Sequence, residues 1–185
     1  LSSDFCLRIQ SYARLLLSIC AFVSYICHIF AIRQIRVFME DTAIPYELPE
    51  AENHSFFFID QRVETRTEAK LHRHDAWELY YVVHGYGSRT AGDTCQPFTA
   101  GDIALIPPSM LHRWEYAPES ADTDGRIRYL MAAFDHSLVK RCMETFPEVR
   151  NRLAGIPFPT DALKFGPESS CIIRKLLSEM TGMDE

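Results

Sequence analysis

Short stretches in which apolar and polar residues alternate fill the middle of the chain, which is the pattern of half-buried β-strands. Phe56-Phe57-Phe58-Ile59-Asp60 opens the series as a short apolar run. Arg62 to Lys70 alternates charged residues with threonine and suits an edge strand with one solvated face. Trp77 to Val83, rich in aromatic and β-branched residues, is the strongest strand signal and ends at the turn residues His84-Gly85-Tyr86-Gly87. Ser88 to Phe98 predicts a hairpin around Ala91-Gly92-Asp93. Ile103 to Ile106 predicts a buried strand stopped by Pro107 and Pro108, and His112 to Tyr116 a further strand. Pro118 to Gly125 is a polar loop. Arg126 to Phe134 alternates again, with Ile127, Tyr129, Met131 and Ala133 on one side. Many short strands separated by turns indicate a mainly β sandwich or barrel.

After Phe134 the period changes. Leu138, Cys142 and Met143 recur at helical spacing between Ser137 and Phe146. Residues 147–167 are broken by proline and glycine. Pro167 and Glu168 then suit a helix start, and Ile172, Ile173, Leu176, Leu177 and Met180 form an apolar stripe that serves equally for packing on the barrel or for dimerisation. At the other end, Leu15 to Ile32 is an 18-residue stretch without Asp, Glu, Lys or Arg. Its length makes it a marginal membrane-spanning candidate, weakened by its serines, cysteines and histidine. Met39 opens a stretch that resembles an ordinary soluble N-terminus. Residues 1–38 therefore stand as an extension with three readings: upstream sequence translated from a misplaced start, a membrane anchor, or a buried helix. The division this suggests is an extension over 1–38, a barrel over 39–150 and a helical segment over 151–185 that ends within an element.

Composition narrows the function. The chain has 185 residues, enough for one ordinary domain with extensions, and 47% of them are hydrophobic, enough for a real core. The formal net charge is −6, and the remainder is more acidic still once Arg8, Arg14, Arg33, Arg36 and Asp4 of the extension are set aside. Such a domain is a poor nucleic-acid binder, because phosphate contacts need clustered Lys and Arg. The six cysteines include no C-x-x-C pair and no disulfide framework, as expected of free thiols in a reducing, cytoplasmic setting.

The candidate chemistry sits at His72, His74, Glu78 and His112. His72 and His74 are two apart, so on a strand they share a face; Glu78 follows after a short bend, and His112 lies on a later strand that can return beside them. Three imidazoles and a carboxylate suit a divalent metal such as Zn, Fe, Mn or Ni. The alternative is that the four side chains hydrogen-bond to one another and to buried water. If parity holds along the strand, Tyr80 and Val82 share the face of Glu78, while Trp77, Leu79 and Tyr81 lie on the other. Tyr80 is then the first candidate for a ligand contact and Trp114 the next, beside His72 and His74. Aromatics next to polar groups suit a sugar, an aromatic acid or an antibiotic-like molecule. Ordinary core packing is the competing reading of both rings. No nucleophile arrangement surrounds Cys95, and Gly85-Tyr86-Gly87 lacks the further glycine and helix of a phosphate loop.

His72, His74, Glu78 and Gly85, then Gly101, Pro107 and His112, resemble the two motifs of the cupin superfamily. Three positions depart from the pattern: Arg66 and Ser109 stand where the motifs have glycine, and Tyr116 where the second ends in asparagine. A narrower resemblance covers roughly residues 54–150. Glu78 to Gly85, Phe98 to Pro108, His112 and the strand ending at Phe134-Asp135 are similar to the N-terminal effector-binding domain of AraC-type transcription regulators. That resemblance implies a cupin (double-stranded β-helix, jelly-roll) barrel followed by C-terminal helices. It also implies a small-molecule effector such as a sugar, an arm at about residues 40–58 able to fold over the pocket, and a homodimer formed through a helix. DNA would be read by a separate helix-turn-helix domain beyond Glu185. The metal-ligand positions are often kept in such domains without a catalytic metal, so the resemblance implies a sensor and not an enzyme. A stand-alone metal-dependent cupin enzyme, such as a dioxygenase or isomerase with His72, His74, Glu78 and His112 as ligands, is the alternative.

Overall fold

The computed structural model describes residues 44–45, 55–65, 70–145 and 161–181, with residues 44, 45, 142 and 143 described by backbone alone. The predicted extension over 1–38, most of the arm, His54 and Arg66 lie outside the described residues, as do residues 182–185. Among the described residues the strands are β1 (Ile44–Pro45), β2 (Phe56–Glu64), β3 (His72–Arg73), β4 (Trp77–His84), β5 (Gly87–Ala91), β6 (Thr94–Phe98), β7 (Ile103–Ile106), β8 (His112–Tyr116), β9 (Arg126–Phe134) and β10 (Leu163–Lys164). The helices are α1 (His136–Thr145) and α2 (Pro167–Met180). One five-stranded sheet runs β1-β3-β8-β5-β6 and the other β10-β7-β4-β9-β2. All strand pairs are antiparallel except the short β1–β3 pair. The mainly β, two-sheet class with C-terminal helices is the one the strand pattern predicts.

The inward faces follow strict parity. Glu78, Tyr80 and Val82 of β4 sit opposite or beside Ile106 and Ala104 of β7 and Met131 of β9. Tyr80, Val82, Ala91, Phe98, Ala104, Ile106, Trp114 and Met131 form one buried cluster, with Phe57, Ile59, Tyr116 and Tyr129 packed on it. The outer face of β4 is covered too: Trp77 is fully buried and its ring stacks on Phe134 at 6.4 Å between centroids. Burying a side chain of this size contributes roughly 1.5–3 kcal/mol, so β4 anchors the second sheet from both sides.

Two elements differ from the expectation. The apolar run at Phe56 and the alternating stretch from Arg62 are one continuous strand to Glu64, because β2 pairs with β9 along its whole length, from Phe56↔Phe134 to Glu64↔Arg126. It is an edge strand, as expected, and its solvated face carries Arg62, which bridges Asp122 and Asp124 of the loop before β9. Strand β10 is the other difference. It lies in the segment read as broken by proline and glycine, and it pairs with β7 through Leu163↔Leu105 and Lys164↔Ala104. Just before it, Ala162 joins the buried cluster, and Asp161 accepts hydrogen bonds from Thr94 and Gln96 of β6.

Helix α2 begins where predicted, with Pro167 at its first position and Glu168 in the first turn. Its stripe divides: Leu176, Leu177 and Met180 are buried within the chain, whereas Ile172 is 47% exposed. The described residues between 44 and 135 and those over 161–181 group as one compact unit, and α1 belongs to the other. No helix among the described residues is long and apolar enough to cross a membrane.

Candidate metal and ligand site

Strand pairing places the polar cluster. His72 on β3 lies directly opposite His112 on β8, and His112 in turn faces Ala91 on β5, whose small side chain leaves the ring its space. The bend at residues 75 and 76 swings the chain from β3 into β4 and brings Glu78 under both histidines. His74 stands before this bend. Its carbonyl accepts a 2.7 Å bond from the Ser109 amide, and the Ser109 hydroxyl donates to Asp75 at 2.9 Å. Ser109 has φ 60°, in the left-handed region that favours glycine. The Ser at the motif's glycine position therefore keeps the glycine's backbone geometry, and its hydroxyl gains a bond that glycine would lack.

The result is one constellation. Metal-ligating atoms of His72, His74, Glu78 and His112 all lie within 4.8 Å of one another. His74 and His112 are 8% and 1% exposed and Glu78 is 3% exposed. Each imidazole is held by its Nδ1–H, which donates to a main-chain carbonyl: His72 to Lys70 at 2.8 Å, His74 to Ala76 at 3.0 Å and His112 to Met110 at 2.8 Å. A carbonyl can only accept, so Nδ1 carries the proton in all three rings and Nε2 is the remaining nitrogen. Nε2 of His74 lies 3.2 Å and Nε2 of His112 lies 3.4 Å from Oε2 of Glu78. A neutral Nε2 has only a lone pair, and a carboxylate oxygen has only lone pairs. Such approaches need a cation between or beside the groups, either an added proton or a metal ion.

The electrostatics agree. Burial alone would push the Glu78 carboxyl up, but the facing charge of His112 and the hydrogen bonds from His112 and His74 together outweigh it and hold the carboxyl well below the usual range. Burial pulls His112 down, yet the charge and hydrogen bond of Glu78 and the Met110 carbonyl together raise it. His72 is lowered, first by burial and then by the neighbouring His112 charge. The donor set fits a divalent metal: imidazole nitrogens and one carboxylate, oriented from behind by backbone carbonyls in the manner of metal-binding histidines.

The aromatic candidates sit next to this cluster. Trp114 donates its indole N–H to Oε1 of Glu78 at 3.3 Å. Tyr80 stacks on Trp114 at 4.0 Å and on Tyr129 at 4.6 Å, and its hydroxyl lies 3.1 Å from that of Tyr116. Tyr80 is thus covered by rings on two sides. Tyr116, at the motif's asparagine position, closes this aromatic stack instead of a polar turn. His84 is exposed, as expected of a residue at a turn. Cys95 and Cys171 are exposed free thiols.

One residue of the interior escaped the sequence reading. Arg89 is 2% exposed and faces inward on β5, with its guanidinium carbon 5.2 Å from the Trp114 ring centroid. The signal was available: within the predicted hairpin, Arg89 shares parity with Gly87 and Ala91, so an inward Ala91 implies an inward Arg89.

Residues 53–183 match the family described as "AraC-like ligand binding domain". No curated protein sequence matches the chain. Among solved structures, the chain is similar to a cupin 2 conserved barrel domain protein from Salinispora arenicola, with 22% identity over 50% of this chain and 74% of that chain and a TM-score of 0.37. A cupin 2 domain-containing protein from Halorhodospira halophila matches with 18% identity over 63% and 87% of the two chains, TM-score 0.38. A predicted oxalate decarboxylase from Thermotoga maritima matches with 20% identity over 46% and 71%, TM-score 0.37.

Proposed function

The chain belongs to the family of AraC-like ligand-binding domains, and from that premise we propose that it is the effector-sensing and dimerisation domain of an AraC-type transcription regulator. A small molecule enters the barrel and meets a polar end formed by His72, His74, Glu78 and His112, beside the packed rings of Tyr80 and Trp114. DNA is read by a helix-turn-helix domain that these 185 residues do not include, and the protein works in the cytoplasm as a homodimer. The observation that carries the reading is the buried contact of Trp114 with Glu78, which joins a polar cluster to an aromatic face inside a barrel of a ligand-binding family. Binding acts by differential affinity: a ligand that prefers one arrangement of the arm or dimer helix shifts the population toward it.

The cluster supports a second use. His72, His74, Glu78 and His112 would hold a divalent metal, which when bound supplies Lewis-acid polarisation of a ligand oxygen. The chain's own contribution is to fix three imidazole tautomers through Lys70, Ala76 and Met110 and to keep Glu78 ionised. This is also the observation that favours the enzyme alternative.

Thermal-shift titrations with aldopentoses, aldohexoses and aromatic acids, in parallel with metal analysis of the purified protein, separate the two. A sensor gives a saturable rise in Tm with at least one compound and no turnover of it. Stoichiometric metal, with metal-dependent consumption of the compound that binds, would transfer the chain to the enzymes.

A further inference from the structure

Among the described residues, the buried charged side chains are His74, Glu78 and His112 of the cluster, and Arg89. The first three face one another within the cluster. Arg89 does not share in that arrangement. It projects from β5 between its register partners, Trp114 on β8 and Gln96 on β6. Its guanidinium lies over the indole of Trp114, and its one hydrogen bond runs from NH2 to Oε1 of Gln96 at 3.5 Å, the outer limit for such a bond. Nε of Arg89 is buried and has no partner. Among the described residues no carboxylate pairs with it.

Asp161 comes nearest to that role and is committed elsewhere. Its Oδ1 accepts from the Thr94 hydroxyl at 2.7 Å and from the Ala162 amide at 2.6 Å, and its Oδ2 from the Gln96 amide at 3.1 Å. Gln96 thus stands between the acid and the cation and bonds to both. A guanidinium taken out of water without a paired anion is costly, and the two neighbouring aspartates, Asp161 and Asp102, act on it only through space. A planar fork with an unused Nε–H is the geometry that accepts a carboxylate side-on.

We propose that Arg89 is the anion anchor of the effector site, so that the effector is a small organic carboxylate whose charged end binds Arg89 beside Trp114. This rests on the ligand-binding reading above and names the chemical class of the ligand. A carboxylate fits better than a phosphate. A dianion would need more than one cation, and the field of Asp161 and Asp102 opposes a second negative charge. The same indole touches Glu78 at its N–H, so the anion anchor and the histidine cluster flank one ring. A ligand held at Arg89 is thereby within the same interior as the cluster.

The test is binding of paired probes to the whole chain: acetate, lactate, benzoate and salicylate, each against its neutral amide, followed by thermal shift and calorimetry in wild type, Arg89→Gln and Arg89→Lys. At least one acid is expected to bind wild type saturably and its amide about tenfold more weakly or worse. Arg89→Gln should weaken the acid by a similar factor and leave the amide unchanged, with Arg89→Lys between. Equal binding of acid and amide, acid binding indifferent to both substitutions, or no binding of any acid up to about 10 mM overturns the proposal. If a neutral compound alone binds wild type, the anchor is wrong and the sensing domain stands. Should Arg89→Gln fail to fold, the acid-against-amide comparison in wild type and in Arg89→Lys still decides.

Discussion

At the residue scale, the site is controlled by which nitrogen of each histidine carries its proton. Main-chain carbonyls pin Nδ1–H of His72, His74 and His112, and Glu78 meets the Nε2 atoms of His74 and His112. Glu78→Gln keeps the volume but removes the buried charge that the rings face, and without metal it should cost about 3 kcal/mol in urea unfolding; an unchanged midpoint would show that the carboxylate is not paired in this way. The pH dependence separates two histidines by sign. His112 is raised, so its contribution is present below about 6.5 and is lost as pH rises through its folded value. His72 is lowered, so its contribution is present above about 6.5 and is lost as pH falls. Metal-free His72→Gln should therefore lose stability toward alkaline pH more steeply than wild type, and His112→Gln should lose it more steeply toward acid. Glu78, held low, adds stability above about 4.5 in wild type, fading as pH falls. Denaturation midpoints between pH 5 and 8 read both slopes, and identical slopes in the two variants would contradict the assignment. The clustering of His72, His74, Glu78 and His112 was legible in the sequence because chemistry and spacing coincide. Arg89 was not read because an arginine between two glycine-bearing turns looks like a solvated hairpin residue unless its parity with Ala91 is followed.

At the element scale, alternation reveals strands that have one wet face or a continuous apolar run, which covers β4, β7, β8 and β9. It does not reveal β10, because two residues have no period. Their pairing with β7 is supplied by the surrounding fold, and Asp161 ties the segment to β6. It also divides β2 wrongly, since the change from an apolar run to alternating charge marks a change in what covers the strand, not a break in its pairing. The split stripe of α2 has a similar origin: helical spacing shows a face but not how much of it the chain itself covers. The tightest constraint lies between β5 and β8. Gly87 faces Tyr116, and a Cβ at Gly87 would coincide with the backbone of Glu115. Gly87→Ala must displace β8 and with it Trp114 and His112. It should lower stability by at least about 2 kcal/mol and weaken any ligand or metal binding, as judged by thermal unfolding and titration. Wild-type stability in this variant would mean that the β5–β8 register is not as described.

At the scale of the whole molecule, a buried polar cluster lies inside a chain of net charge −6. That balance makes these residues a poor partner for nucleic acid, because phosphate contacts need clustered Lys and Arg. The chain alone is expected to leave duplex DNA unshifted in electrophoresis at physiological salt, because its net charge of −6 opposes the phosphate contacts that release counterions; a shift at micromolar protein would contradict this. The regulator reading depends on what the gene encodes after the codon for Glu185, and reading that DNA tests it most directly. The account predicts an open frame that continues into a basic, helical segment with two helix-turn-helix motifs. A stop codon at that point would contradict it and leave a barrel with a ligand site and no means of reading DNA.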